Sequence, residues 1–173
     1  AALATLRDLI GDFEKPRYFA YDPDICAHGT KGATACRRCI DACPAEAISS
    51  LVDRIGVEPH LCQGGGACAT ACPTGAITYQ YPSIEDLLRR TRRLLAAYQE
   101  SGGESPVLLI HDGAAGADRA RSLVEPAGHV LPITVEEVAS LGLEAWLSAL
   151  AYGARAVRLL DTPAVPARSR REL

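Results

Sequence analysis

The seven cysteines are the residues of this chain whose type and spacing could do chemistry. Six of them lie between residues 36 and 72. Cys39 aligns with Cys68, and Cys43 with Cys72, at a common offset of 29 residues, and a proline follows Cys43 and Cys72. The segment is therefore an internal duplication. Each half lacks one cysteine of the repeat, and the two halves lack different ones.

Closely spaced thiolates of this kind are typical metal ligands. In a C-x-x-C-x-x-C-x-x-x-C-P run, three sulfurs point at one iron–sulfur cluster and the fourth, beside the proline, turns toward a second cluster. Two such runs therefore exchange their last cysteines. An odd number of clustered cysteines argues against a disulfide framework. Structural zinc is the competing interpretation, because C-x-x-C pairs also occur in zinc sites, but zinc requires neither C-x-x-x-C nor the Cys-Pro ends.

This pattern resembles the bacterial two-cluster ferredoxin family over roughly residues 18 to 81. The resemblance implies one-electron transfer, two iron–sulfur clusters and redox partner proteins. Carried over residue by residue, it assigns ligands to both clusters. The first cluster receives Cys36 and Cys39 from the first half and Cys72 from the second, and the second cluster receives Cys62 and Cys68 together with Cys43 from the first half.

The fourth ligand of each cluster departs from the family pattern. For the first cluster the family position is Ala33, and we assign the role to Cys26 across an inserted loop of residues 27–35, with His28 as a conceivable substitute. For the second cluster the position is Gly65, which has no side chain and is either a natural loss or a replaced cysteine. We therefore predict a 4Fe–4S cluster at the first site. At the second site we predict a 3Fe–4S cluster or a labile 4Fe–4S cluster.

Short elements must position these loops. Apolar and β-favouring residues predict strands over 17–20 and 54–58 before the cysteine loops, and return strands over 45–48 and 74–81 after them. Residues 17–82 are thus a predicted dicluster module, preceded by an amphipathic helix or extension over 1–16. A connecting amphipathic helix is predicted over 83–104. Its arginine-rich face is either a solvated surface or a docking surface for an acidic partner.

A second unit is predicted over residues 105–161. Strands at 106–110, 129–133 and 156–160 alternate with a helix at 114–124 and a longer helix, capped by Thr134 and Glu137, that runs through Ala151. This order predicts a short parallel sheet with right-handed crossovers. The unit is loosely similar to the α/β domain of hydrogenase- and heterodisulfide-reductase-associated iron–sulfur subunits. Residues 162–173 form a tail or a truncated continuation.

The predicted fold class is therefore α+β, a ferredoxin-like dicluster iron–sulfur module followed by a small α/β domain with a short parallel sheet. A net charge of −3 over 173 residues gives no electrostatic reason to expect nucleic acid as a partner. No apolar run is long enough to span a bilayer. We expect a cytoplasmic electron carrier without catalytic residues or a small-molecule substrate.

Two alternatives stay open. The chain contains no methionine, which suggests a piece of a longer protein, and the module could then deliver electrons within a larger multidomain oxidoreductase subunit. An oxygen- or iron-responsive sensor that uses the labile cluster is the other alternative.

Overall fold

The computed structural model describes residues 14–29, 36–113, 116–125, 127–163 and 165–171. These ranges contain both helices and small sheets, which confirms the mixed helix-and-strand class. Most of the predicted N-terminal helix, residues 1–13, lies outside the described ranges, and so does the greater part of the inserted loop, residues 30–35. In the described ranges, no helix is both long enough and apolar enough to cross a membrane.

The cysteine-bearing part is built from short elements that link the two halves of the duplication. In chain order they are β1 Phe19–Tyr21, α1 Arg38–Ala42, β2 Ile48–Ser50, β3 Ile55–Val57, α2 Ala67–Ala71 and β4 Ile77–Tyr79. Strand β1 pairs antiparallel with β4, and β2 pairs antiparallel with β3. Each half therefore pairs both of its strands with the other half, and this exchange brings cysteines of both halves together.

Two apolar clusters hold this part together. Phe19, Ile48, Ile55 and Ile77 are buried together with the thiols of Cys39 and Cys43 in the larger cluster. The smaller one consists of the alanines by which α1 and α2 contact each other, Ala42, Ala67 and Ala71. Because alanine side chains are small, the two helices that carry cysteines can lie close to each other.

A long helix, α3 Ile84–Glu100, follows β4. It begins at Ser83, whose hydroxyl oxygen accepts a hydrogen bond from the backbone N–H of Asp86 at 3.2 Å. Leu87, Thr91 and Leu95 are buried at four-residue spacing along one face. After the last turn, Gly102 adopts a positive φ of 84°, which ends the helix with little strain.

Several arginines of α3 contact this same chain. Arg89 forms an ion pair with Asp86 at 3.1 Å, and the Arg90 guanidinium donates a hydrogen bond to the carbonyl of Thr134 at 3.2 Å. The Arg92 guanidinium lies 6.0 Å from the ring centre of Tyr152. This basic face is therefore engaged in intramolecular contacts at these three positions.

The rest of the chain forms a three-stranded sheet with helices on both faces. Its elements are β5 Val107–Asp112, α4 Ala117–Val124, β6 Val130–Val135, a 3-10 turn Val138–Ser140, α5 Leu143–Ala151, β7 Ala156–Leu159 and a 3-10 turn Ser169–Arg171. The strand order is β6-β5-β7, and both pairs are parallel. Leu108 and Ile110 of the central strand face a core that α3 and α5 cover, whereas Leu109 faces Ala120 of α4 on the opposite side.

The helix predicted to begin at Thr134 is wrong at its start. Thr134 lies in β6 and pairs with His111, and the ladder continues to Val135. The chain then forms the short 3-10 turn, and α5 begins only at Leu143, after Gly142. The capping pattern was outweighed because two more rungs of parallel pairing, together with burial of Val138, fix this segment in another conformation.

Candidate metal centre

The seven cysteines line two separate cavities. Cys26, Cys36, Cys39 and Cys72 line the first. Cys43, Cys62 and Cys68 line the second, and Gly65 lies in its wall. All seven lie in the described ranges and carry free thiols. These are the two groups that the sequence predicts, each with one cysteine from the other half.

The exchange has a local cause at the ends of α1 and α2. Cys43 and Cys72 are the C-terminal caps of these helices, with extended ψ angles of 113° and 115°. Each is followed by a proline, and a residue before proline is sterically driven out of the helical conformation into the extended one. The backbone therefore turns out of the helix at this cysteine, which then lines the other cavity.

A turn delivers Cys26 to the first cavity. The Cys26 backbone N–H donates to the carbonyl of Pro23 at 3.2 Å, and the backbone N–H of Asp24 donates to the Asp22 carboxylate at 2.9 Å. The same cavity is walled by Ile77, which is 1% exposed.

His28 also lies beside the first cavity and is almost completely buried. Its Nδ1 donates a hydrogen bond to the Cys36 carbonyl at 2.6 Å. Because that carbonyl can only accept, Nδ1 carries a proton, and Nε2 lies within hydrogen-bond distance of the Ser50 hydroxyl oxygen, at 2.7 Å. His28 therefore links the backbone of Cys36 to strand β2.

Three consecutive glycines in the second cavity's loop have different steric surroundings. A Cβ at Gly64 would lie 2.9 Å from the ring of Tyr18, and a Cβ at Gly66 would overlap the Cβ of Ser140. Both glycines also have a positive φ, 75° and 68°. At Gly65 the added atom would meet only the ring of Pro44, at an ordinary contact distance of 3.8 Å. The middle position therefore has room for a side chain.

The pKa values of the buried thiols reflect the same two groups. Burial, together with repulsion from the nearby Cys72 and Cys36, raises the pKa of Cys39 to about 11. Burial raises the pKa of Cys68 to about 12, with added repulsion from Cys43 and then Cys62. Buried thiolates that repel one another need a compensating positive charge, and metal ions supply one.

Cys72 differs from these two. Burial raises its pKa, but hydrogen bonds to its sulfur outweigh that effect and lower the pKa overall. The donors are the backbone N–H groups of Ile77, Thr74 and Ala76 and the Thr74 hydroxyl, which lies 3.6 Å from the sulfur. This thiolate is therefore stabilised by the protein itself.

The two cavities are neighbours. Ile77 lines both, and Cys39 of the first group is close enough to Cys68 of the second to raise its pKa. Within the described part of the chain, no three His, Cys, Asp or Glu side chains could converge on a single metal ion. A multi-iron cluster is held at its corners, so its ligands surround a volume instead of meeting at a point.

Sequence reasoning missed the residues that support the second site from the far end of the chain. The Thr70 hydroxyl on α2 donates to the Ala139 carbonyl at 2.7 Å. The Arg168 guanidinium donates to the Cys43 carbonyl at 2.9 Å. These partners lie 69 and 125 residues apart in sequence, so no local pattern could predict their contact.

Comparisons with known proteins agree with the cysteine pattern. Residues 55–78 match the 4Fe-4S binding domain family. The chain is 43% identical over 51 residues to the ferredoxin-type protein NapF of Escherichia coli K12, which covers 27% of this chain and 31% of NapF. It is 35% identical over 52 residues to the 7Fe ferredoxin of Hydrogenibacillus schlegelii, covering 30% of this chain and 62% of that protein.

A third relative is hydrogenase-4 component A of E. coli K12, 38% identical over 56 residues, or 32% of this chain and 25% of that protein. The chain thus spans less than two thirds of the length of each of these relatives. No solved structure matches it. The predicted relationship of the cysteine-bearing segment to bacterial-type ferredoxins is confirmed. The similarity of the C-terminal unit to hydrogenase-associated subunits stays a prediction.

Proposed function

Because the cysteine-bearing segment is related to bacterial-type ferredoxins, we propose that this chain transfers single electrons through two iron–sulfur clusters. The observation that carries this proposal is the pair of adjacent cavities, each lined by cysteines from both halves of the duplication. When bound, such clusters supply one-electron redox chemistry at potentials that the surrounding protein sets.

The first site would hold a 4Fe–4S cluster. Its ligands in this proposal are Cys26, Cys36, Cys39 and Cys72. The contribution of Cys26 is supported by its position in the cavity wall, and by the hydrogen bonds that already engage both ring nitrogens of His28. Cys26, on the far side of the inserted loop, would therefore supply the fourth thiolate where the family spacing has Ala33.

The second site would hold a 3Fe–4S cluster, or a 4Fe–4S cluster with one labile iron. Its ligands in this proposal are Cys43, Cys62 and Cys68. Gly65 lies in the cavity wall at the fourth position and offers no donor atom. With three thiolates, the site is complete for a three-iron cluster only.

The chain's own groups would tune the two sites differently. Hydrogen bonds to sulfur stabilise its negative charge, so the donors around Cys72 favour the more negative, reduced state at the first site. Ile77, packed between the two cavities, excludes water from both. Because the two cavities share Ile77 as a wall, the clusters would be neighbours, which suits electron transfer between them.

Beyond the sites, we propose the organisation that the sequence predicts. A dicluster module over residues 17–82 is joined by the helix of 83–104 to an α/β unit over 105–161, which docks the module to a larger redox complex. The partner would be a redox protein in the cytoplasm, with no nucleic acid and no small-molecule substrate. A cavity of about 510 Å³ between the module and the α/β unit, which Cys72 helps to line, lies on a face where electrons could leave the first site.

Electron paramagnetic resonance of anaerobically purified protein tests the proposal. We expect an oxidised three-iron signal in the protein as isolated, a reduced four-iron signal after dithionite, and about seven iron atoms per chain. About eight iron atoms without the oxidised signal would overturn the three-iron assignment. Zinc without acid-labile sulfide would overturn the iron–sulfur proposal as a whole.

The similarity to hydrogenase-4 component A supports a second candidate, in which this segment delivers electrons inside a larger oxidoreductase. The full-length reading frame decides between the two, because a fused or neighbouring catalytic domain is required only by the second. An oxygen-responsive sensor is a further variant. It requires the second cluster to be lost at oxygen levels that leave the first intact.

A further inference from the structure

The C-terminal segment, residues 165–171, lies against the second cysteine site. Val165 is 3% exposed and belongs to the core of the parallel sheet. The Arg170 guanidinium donates to the Asp161 carboxylate at 2.9 Å and to the Thr162 carbonyl at 2.7 Å. Ser169 is completely buried. The C-terminal segment is therefore fixed on both sides of Arg168.

From this turn, Arg168 reaches a proposed cluster ligand. Its guanidinium donates a partly buried hydrogen bond of 2.9 Å to the backbone carbonyl of Cys43. Because an arginine is always protonated, this is a charge-assisted hydrogen bond, roughly twice as strong as a neutral one. The contact places a permanent positive charge at the backbone carbonyl of a residue proposed as a ligand of the second site.

Two more contacts hold the second site, and their partners lie in the 3-10 turn Val138–Ser140. Thr70 on α2 donates to the Ala139 carbonyl at 2.7 Å, and Gly66 lies so close to Ser140 that any side chain would clash. Both α2 and the glycine loop belong to the second half of the duplication. The loops that carry the second site are thus held at three points by residues 139–168.

We propose that Arg168 is a positioning residue for the second site, which fixes Cys43 and raises the reduction potential of the cluster held there. This inference rests on the proposed function. Adding an electron makes a cluster more negative, and a fixed positive charge nearby favours that state. The partial burial of the contact reduces screening by salt. The first site serves as an internal reference, since the guanidinium contacts a ligand of the second.

Anaerobic redox titration of the whole chain, followed by electron paramagnetic resonance, tests the inference on both clusters at once. For Arg168→Gln we expect the reduction equilibrium constant of the second cluster to fall about tenfold, which corresponds to ~59 mV for one electron. We expect the first cluster to change less than about threefold. Arg168→Lys keeps the charge and should recover part of the difference.

The matched control is Arg171→Gln, which removes the same charge from another exposed arginine, three residues further along the chain. It should change the second cluster less than about twofold, because the hydrogen bond to the Cys43 carbonyl comes from Arg168 and is retained. If Arg168→Gln loses the second signal while the first signal and the helical circular dichroism persist, and Arg168→Lys retains it, the positioning role is supported.

Two results are unfavourable, and they differ. If wild-type protein shows no iron–sulfur signals, the proposed function itself is wrong. If wild-type protein shows both clusters but Arg168→Gln leaves the second potential unchanged, or shifts both potentials equally, the role of Arg168 is wrong while electron transfer stands.

Discussion

The two cysteine sites descend from the same repeat, yet they are completed in different ways. The first is lined by four cysteines, the fourth of which, Cys26, lies before an inserted loop. The second is lined by three, with Gly65 in its wall, and is supported instead by contacts from residues 139–168. A duplicated motif therefore does not imply equivalent sites, because each half can lose a ligand and meet that loss differently.

The pKa values of individual thiols also differ between the two sites. Cys72 of the first group receives several hydrogen bonds that lower its pKa, whereas burial raises the pKa of Cys68 in the second group to about 12. The first site thus stabilises one of its thiolates without metal. The second site also has one thiolate fewer, because Gly65 stands at its fourth position. We therefore expect the second cluster to be the more easily lost.

The largest effect is expected from replacing the cysteines that distinguish the two sites. Cys72 and Cys68 both belong to the second half and lie one helical turn apart, yet they line different cavities. Cys72→Ala should abolish the four-iron signal and leave about three iron atoms per chain. Cys68→Ala should abolish the three-iron signal and leave about four. Iron analysis and electron paramagnetic resonance measure both outcomes.

Each of these variants is the control for the other. If Cys72→Ala removes the three-iron signal and spares the four-iron signal, the two halves do not exchange ligands. The assignment of the cysteines to the two sites is then wrong.

The resemblance to ferredoxins assigns the two cysteine groups, and the sequence also shows a local determinant for their separation. The proline after Cys43 or Cys72 forces extended backbone at that cysteine, whatever the rest of the chain does. The cap of α3 at Ser83 was predictable for the same reason.

Long-range contacts decided what the sequence could not predict. The pattern at Thr134 is a good helix cap in isolation, but pairing with the central strand outweighs it. Arg168 follows a proline-rich stretch with no periodicity, and its contact with Cys43 exists only because the sheet brings the C-terminal segment back to the cysteine loops.

The next test adds the missing cysteine ligand to the second site. Position 65 has room for a Cβ and an ordinary backbone conformation, so Gly65→Cys should supply the missing thiolate at little cost in stability. We expect iron to rise to about eight atoms per chain, with a second reduced four-iron signal in place of the oxidised three-iron signal. The same spectra measure this outcome.

Gly66→Cys is the matched control, one residue further along the loop. It should not add a ligand, and it should destabilise the protein by about 2–4 kcal/mol, because it combines a positive φ with a clash against Ser140. An unchanged three-iron signal in Gly65→Cys, with normal folding, would show that the fourth corner of the site does not lie at position 65.

The smallest effect concerns pH and the turn that supports α2. Glu137 precedes this turn, and burial raises its pKa from 4.5 to about 7, helped by the negative charges of Asp112 and Glu136. Because the folded state binds the Glu137 proton more tightly than the unfolded state does, the free energy of unfolding falls as the pH rises from about 4.5 to 7. The full loss is present above pH 7.

Glu137→Gln should therefore raise the midpoint of thermal unfolding by about 2–4 °C at pH 8 and by much less at pH 5. Anaerobic circular dichroism melts measure this difference, with the exposed neighbour Glu136→Gln as the control, which should change the midpoint by less than about 1 °C at either pH. Since the turn contacts α2 and the Gly66 loop, the second cluster should be lost at a higher temperature in Glu137→Gln at pH 8, while the first changes little. A gain that is equal at both pH values, or larger at pH 5, would contradict the raised pKa and remove this difference between the two sites.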